Sequence, residues 1–300
     1  MADNSDPRNK LATYANTSGE GNSSPELATF YDSEPQESEN GTKSWYIRGQ
    51  NFVLVMTEAA PGATLTRQGQ VDEYVVILEH EGTAADVTWD GEQASVPGYS
   101  IVMIPPGDSS IHLANGGRVT RLFTSKSDDL SARCSNAASY LTPKPHVAPY
   151  VAWPDPVGGW KIRSYSFNVP PAPGGFAKMY RSTNFMINLF QEFVGPRDPL
   201  RMSPHSHDDF EQCSFALQGE WVHSLRWAWG TNLNEWREDE HISCRAPSVL
   251  VIPATTIHSS RWISEGKNQL VDIFCPPRVD FSKIEGWVLN ADEYPMPEDS

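Results

Sequence analysis

The hydrophobic pattern of this chain comes in short blocks, not long helical stripes. From Ser44 onward, NFVLVM (51–56), EYVVILEH (73–80), SIVMIP (100–105), FMINLF (185–190), CSFALQG (213–219) and SVLVIP (248–253) are rich in Val, Ile, Leu and Phe. Each is bounded within a few residues by Pro, Gly or a polar cluster, which predicts the strands of an all-β sandwich or barrel. Residues 1–42 are rich in Ser, Asn, Asp, Glu, Gly and Pro. They are too poor in apolar residues to offset the entropy of ordering, so a mobile acidic tail or a loosely docked arm is expected there. Residues 43–140 then hold a first strand-rich unit. Residues 141–175 form a Pro/Gly-rich connector with PVGGW and PAPGG turns, 176–285 a second strand-rich unit, and 286–300 a C-terminal tail.

The two units share a frame. SIVMIPPGDSSIH (100–112) and SVLVIPATTIH (248–258) both give serine, an apolar strand, proline, a turn and then Ile-His. A repeat of this kind predicts two copies of one architecture.

Composition narrows the partners. The chain has 300 residues, 39% of them hydrophobic, enough for one large core or two modest ones. A formal net charge of −15 disfavours nucleic acid and anionic membrane surfaces, which reward clustered Lys and Arg, and leaves a small-molecule substrate as the expected partner. Cys134, Cys213, Cys244 and Cys275 are widely spaced with no C-x-x-C and read as free thiols. Neither a basic-then-apolar leader nor an apolar run of about 18 residues is present, so the expectation is a cytoplasmic protein without a membrane partner. The Trp-rich segment around residue 230 is compatible with a homo-oligomer.

Candidate chemistry sits in MSPHSHDDFEQCSFALQGEW (202–221), where His205-x-His207 is followed by Gln212 and Gly219; the second repeat adds Pro253 and His258. In this pattern the chain resembles the cupin superfamily. Cupins are barrels whose first motif gives two His and usually a Glu, and whose second gives a third His, all to one metal ion. The resemblance implies an all-β fold of two double-stranded β-helix (cupin, jelly-roll-like) barrels in tandem. It also implies a ligand set of His205, His207, Gln212 and His258 around one divalent transition ion: Fe, Mn, Ni, Co, Cu or Zn. Residues i and i+2 of a strand share a face, so both imidazoles of H-x-H can reach one ion.

Gln212 stands where the family has Glu, with Glu211 beside it. Alternation puts Gln212, Ser214 and Ala216 on one face and Glu211, Cys213, Phe215 and Leu217 on the other. The small polar face suits a barrel interior, so Gln212 is the expected ligand, whereas a bulge would turn Glu211 inward instead. The second motif also departs from the family at Pro247, Thr255 and Trp262. Counting back from Gly82 on the same ruler puts Gln68, Gln70 and Val75 at the ligand positions of the first unit, with His112 matching His258. Amides hold transition ions poorly, so the first barrel is expected to be degenerate.

Three imidazoles and an amide leave a divalent ion its full charge and open positions, which favours catalysis on a small oxygenated metabolite. WVHSLRWAWGTNLNEWREDEH (221–241) adds four tryptophans with His223 and Arg226. His223 is a candidate proton shuttle, Arg226 a carboxylate clamp, and Glu211 an acid–base group, with Arg201 a further candidate. The tryptophans could hold a substrate ring or simply pack. The family resemblance points first to a dioxygenase. A redox-neutral isomerase or lyase is the alternative, since Gln for Glu resembles cupins that ketonise unsaturated uronates. A non-catalytic ligand-binding or storage cupin is the third reading.

Overall fold

The computed structural model describes residues 21–298. Two kinds of strand build it. Tyr74–Leu78, Ser100–Ile104 and Ser248–Ile252 are buried at every position, which requires protein on both faces. Ala63–Gln70 and Glu220–Arg226 alternate between covered and exposed positions, as strands with one wet face do.

The doubly covered strands lie at the centre of two seven-stranded sheets. The first runs Arg163–Ser166, Ser100–Ile104, Tyr74–Leu78, Gly117–Thr124, Phe52–Ala59, Thr42–Arg48 and Glu37–Glu39. The second runs Glu26–Thr29, Ser248–Ile252, Gln212–Gln218, Lys267–Phe274, Met186–Phe190 and Ala177–Arg181, with Phe193–Val194 also on Lys267–Phe274. A four-stranded sheet (Ala63–Gln70, Gly107–Leu113, Ala85–Trp89, Glu92–Val96) closes the first barrel, and a three-stranded one (Glu240–Arg245, Glu220–Arg226, Ile257–Trp262) closes the second. The large sheets meet face to face. Leu54, Val75, Ile77 and Met103 of one share a core with Ile187, Phe215, Val251 and Ile273 of the other. Truncating a buried ring such as Phe215 in a core of this kind costs roughly 3–5 kcal/mol. Among the described residues no helix is long and apolar enough to cross a membrane.

The tail and connector differ from expectation. Residues 1–20 lie outside the described residues, but Glu26–Thr29 pairs antiparallel with Ser248–Ile252 of the second barrel. Phe30 then packs 6.2 Å from Trp45 and 6.4 Å from Phe215. Arg163–Ser166 of the connector pairs in turn with Ser100–Ile104 of the first barrel. Each barrel therefore borrows an edge strand from the segment that precedes the other. Composition gives no warning of this, because an added edge strand is held through its backbone groups.

A second exchange ties the halves together. Glu73 accepts hydrogen bonds from the Thr183 backbone N–H and hydroxyl, both at 2.9 Å, and from the Tyr294 hydroxyl at 2.7 Å. Glu211 accepts from the Gln50 backbone N–H at 2.6 Å and the Tyr140 hydroxyl at 2.9 Å. The tyrosines belong to a repeated Asn-Ala-x-x-Tyr at 136–140 and 290–294. Its asparagines each bracket one arginine backbone, Asn136 on Arg48 and Asn290 on Arg181, through both amide atoms at 2.8–3.0 Å. The segment after each barrel is thus pinned to that barrel by Asn and hooked to the other by Tyr. The expected C-terminal tail is, as far as residue 298, part of this latch.

Glu73→Ala leaves three buried donors without an acceptor. The expected loss is about 2–4 kcal/mol of unfolding free energy in a urea titration. A change below about 0.5 kcal/mol, the range of an ordinary surface substitution, contradicts the latch.

Candidate metal centre

Three imidazoles converge at one end of the second barrel. His205 and His258 face each other across an isolated antiparallel bridge, exchanging backbone hydrogen bonds of 3.1 and 2.8 Å. His207 follows outside any strand, anchored where the Thr255 backbone N–H donates to its carbonyl at 2.6 Å. Ligating atoms from the three rings lie within 4.8 Å of one another. His207 and His258 are buried, whereas His205 is exposed. Burial pushes the His207 imidazole down to about 3 and that of His258 to about 4, so both are neutral near pH 7, the form that ligates.

Second partners set the ring orientation. His205 Nδ1 donates to the Ser203 carbonyl at 2.8 Å and His258 Nδ1 to that of Thr256 at 2.9 Å, which leaves both Nε2 atoms as lone pairs. Gln212 Oε1 lies 2.8 Å from His207 Nε2 and 3.2 Å from His258 Nε2. The amide cannot turn over freely. Asp272 Oδ1 accepts from the Ser214 hydroxyl at 2.7 Å, so Ser214 must accept from Gln212 Nε2, at 2.9 Å, and the amide oxygen faces the rings. The bare Nε2 of His258 and the oxygen of Gln212 then confront each other with no proton between them. A cation resolves that contact, and the donor set fits a divalent transition ion.

Asp272 is the residue that sequence reasoning missed. It is half-buried by area, yet protein surrounds it on every side, so what it exposes faces the lumen. Burial pushes its carboxyl up to about 6, and the Ser214 hydrogen bond only partly offsets this. The signal was an acid within the apolar run QLVDIF (269–274). Arg278, also missed, lies over the rings of Phe210, Phe274 and Phe281 and pairs with Asp280.

The other candidates scatter. Glu211 points away from the rings into the inter-barrel latch, as the parity of Gln212–Gln218 requires, with Cys213, Phe215 and Leu217 on its side. His223 does face the lumen. It is buried, held 2.7 Å from Ser260 Oγ and pushed down to about 4 by burial. Arg226 is exposed and occupied by Asp239 through Nε at 3.0 Å and Nη2 at 2.5 Å, so the clamp role is corrected: alternation turns Trp221, His223 and Leu225 inward and Arg226 outward. Arg201 is also exposed, beside Asp198. Of the tryptophans, Trp221 and Trp227 are buried, while Trp229 and Trp236 stack on each other at 4.4 Å on the outside.

Register replaces the ruler in the first barrel. Tyr74 faces Ile104 as Gln212 faces Ile252, so Arg67, Gly69 and Tyr74 hold the places of His205, His207 and Gln212. Ser109 opposes Arg67 as His258 opposes His205. The count from Gly82 is off by one because the turn after that strand is one residue longer. His112 points outward, 3.1 Å from Thr64 Oγ1, and no imidazole stands at a ligand place.

No family model and no curated protein matches this chain by sequence. Solved structures do. AerE from Microcystis aeruginosa aligns over 84% of this chain and 96% of its own, at 10% identity and a TM-score of 0.53. Oxalate decarboxylase from Lactobacillus farciminis, solved as a formate complex, aligns over 86% and 88% at 14% identity and 0.58. A point mutant of Bacillus subtilis oxalate decarboxylase aligns over 85% and 78% at 15% identity and 0.58. The chain has the bicupin fold. At such identities the likeness concerns the fold alone.

Ser214→Ala releases the Gln212 amide from Asp272. Outer-shell losses of this kind weaken metal binding about 10- to 100-fold. Titration calorimetry with Mn(II) should show that loss, with Glu211→Gln unchanged. Equal effects of the two substitutions contradict the assignment of faces.

Proposed function

We propose that this bicupin is a metal-dependent enzyme whose second barrel transforms a small oxygenated organic acid. The observation that carries the reading is the convergence of His205, His207, His258 and the Gln212 oxygen on one point beside a lumen that also holds Asp272 and His223. A divalent ion bound there supplies Lewis acidity toward a carbonyl or carboxylate and, if redox-active, a route to dioxygen.

The chain's own residues favour redox-neutral chemistry. Asp272 lies one hydroxyl away from Gln212 and can take or return a proton at a substrate carbon or oxygen held in the lumen. His223, neutral and fixed by Ser260, offers a second polar contact without adding charge. Asn188, opposite Asp272 in the sheet, has a buried amide oxygen with no hydrogen-bond partner, a free acceptor for a substrate hydroxyl. The oxalate decarboxylases of the same fold make a carboxylate-bearing substrate and a lyase reaction the first class to test. The dioxygenase reading is supported by the all-neutral donors, which suit an ion that must also bind an anionic substrate.

Protein loaded in turn with Mn, Fe, Co, Ni, Cu or Zn is incubated with oxalate, 2-keto acids, 2-hydroxy acids, catechols and uronates, with and without oxygen. Carbon dioxide release or solvent deuterium uptake under anaerobic conditions is the expected result. Turnover only with matching oxygen consumption transfers the site to the dioxygenase reading. Absence of turnover with every metal and substrate contradicts an enzyme and leaves a ligand-binding cupin.

A further inference from the structure

The first barrel keeps the shape of the second and reverses its charge. Arg121 is paired across the sheet with Val76 and Val55, as Asp272 is with Ser214 and Asn188, so a guanidinium stands where the metal barrel has its carboxylate. Parity on Gly117–Thr124 sends Arg121 inward with Val119 and Phe123, while Leu122 joins the core between the barrels. Arg67, at the place of His205, brings a second guanidinium to the same lumen.

Arg121 lacks a counter-charge. It is 8% exposed and forms no ion pair among the described residues. Its Nε has no hydrogen-bond partner, and its Nη2 reaches only Thr57 Oγ1, at 3.5 Å. Its guanidinium carbon lies 5.9 Å from the Phe123 ring but no carboxylate pairs with it, whereas buried cations are almost always paired. Burial also holds its pKa below the usual guanidinium value, eased by Tyr46, Tyr74 and Glu37 and worsened by Arg67.

A cavity of about 670 Å³ reaches it, with Arg121, Arg67, Arg133, Tyr46, Ser44 and Thr66 on its wall. The acids of that wall are already engaged. Asp129 takes both Nη atoms of Arg67 at 2.7 and 3.2 Å, and Glu37 takes the Tyr46 hydroxyl at 2.5 Å and Arg133 at 3.4 Å. Glu39 sits on the exposed rim. Arg121 is the cation left over at the deep end.

We propose that the first barrel is a binding site for a small oxyanion, a carboxylate or phosphate group received by the fork of Arg121 at the bottom of this cavity. A planar guanidinium matches such groups with two parallel hydrogen bonds. The ion-paired Arg67 and Arg133 also line the cavity, and the Ser44 hydroxyl lies on its wall for a further contact. The chain then carries two barrels of one frame, one built for a cation and one for an anion.

The test uses the full chain, stripped of metal with EDTA so that the second barrel cannot draw the anion. Calorimetric titration with sodium phosphate and, separately, sodium malonate should show saturable binding of at least one, at one per chain. Phosphate alone, malonate alone or both then names the chemical source. Arg121→Met should weaken binding at least tenfold while the melting temperature holds or rises, because the unpaired charge is gone. Arg121→Lys, which keeps the charge and loses the fork, should fall between the two and carries the test if the Met variant does not fold. His258→Ala should bind as the parent does. The proposal is overturned if neither probe binds up to about 10 mM, if both Arg121 variants bind like the parent, or if His258→Ala abolishes binding.

Discussion

Packing two seven-stranded sheets against each other forces every strand in them to sort its side chains by parity. One face must be apolar to fill the core between the barrels, and the other is left to decide what the lumen holds. In Gln212–Gln218 the first demand takes Cys213, Phe215 and Leu217, and the second leaves Gln212, Ser214 and Ala216. The same rule on Lys267–Phe274 buries Val271 and Ile273 between the sheets and delivers Asp272 to the lumen beside Ser214. In the first barrel it delivers Tyr74 and Arg121. The candidate metal centre is therefore a consequence of which residues the inter-barrel core did not claim.

The two carboxylates that precede equivalent strands show the other side of that rule. Glu73 and Glu211 share a place in the frame, and both turn toward the opposite barrel, where a backbone N–H and a tyrosine hydroxyl hold them. Their engagement explains why an amide, and not the neighbouring acid, faces the histidines. It also couples the orientation of the strand that carries Gln212 to the loop at Gln50 and the segment at Tyr140.

Much of this was legible in the sequence, for identifiable reasons. Strands covered on both faces write themselves as unbroken apolar runs, so SIVMI and SVLVI announced both the architecture and its duplication. His205, His207 and His258 could be assembled through the cupin resemblance of H-x-H and the distant Pro-x4-His, and alternation then favoured Gln212 over Glu211. What failed depended on partners far along the chain. Glu26–Thr29 is held by backbone pairing that composition does not record. Asp272 and Ser214 meet only through cross-strand register, whereas the outward turn of Arg226 follows from its parity against His223. The Asn-Ala-x-x-Tyr repeat was visible in the letters, but its meaning lies in the latch it closes.

One barrel of this pair gathers donors for a cation and the other does not. Metal stoichiometry tests it most directly. Elemental mass spectrometry on protein expressed in metal-replete medium and purified without chelator should return one divalent transition ion per chain. Two ions per chain, or none, contradicts the account.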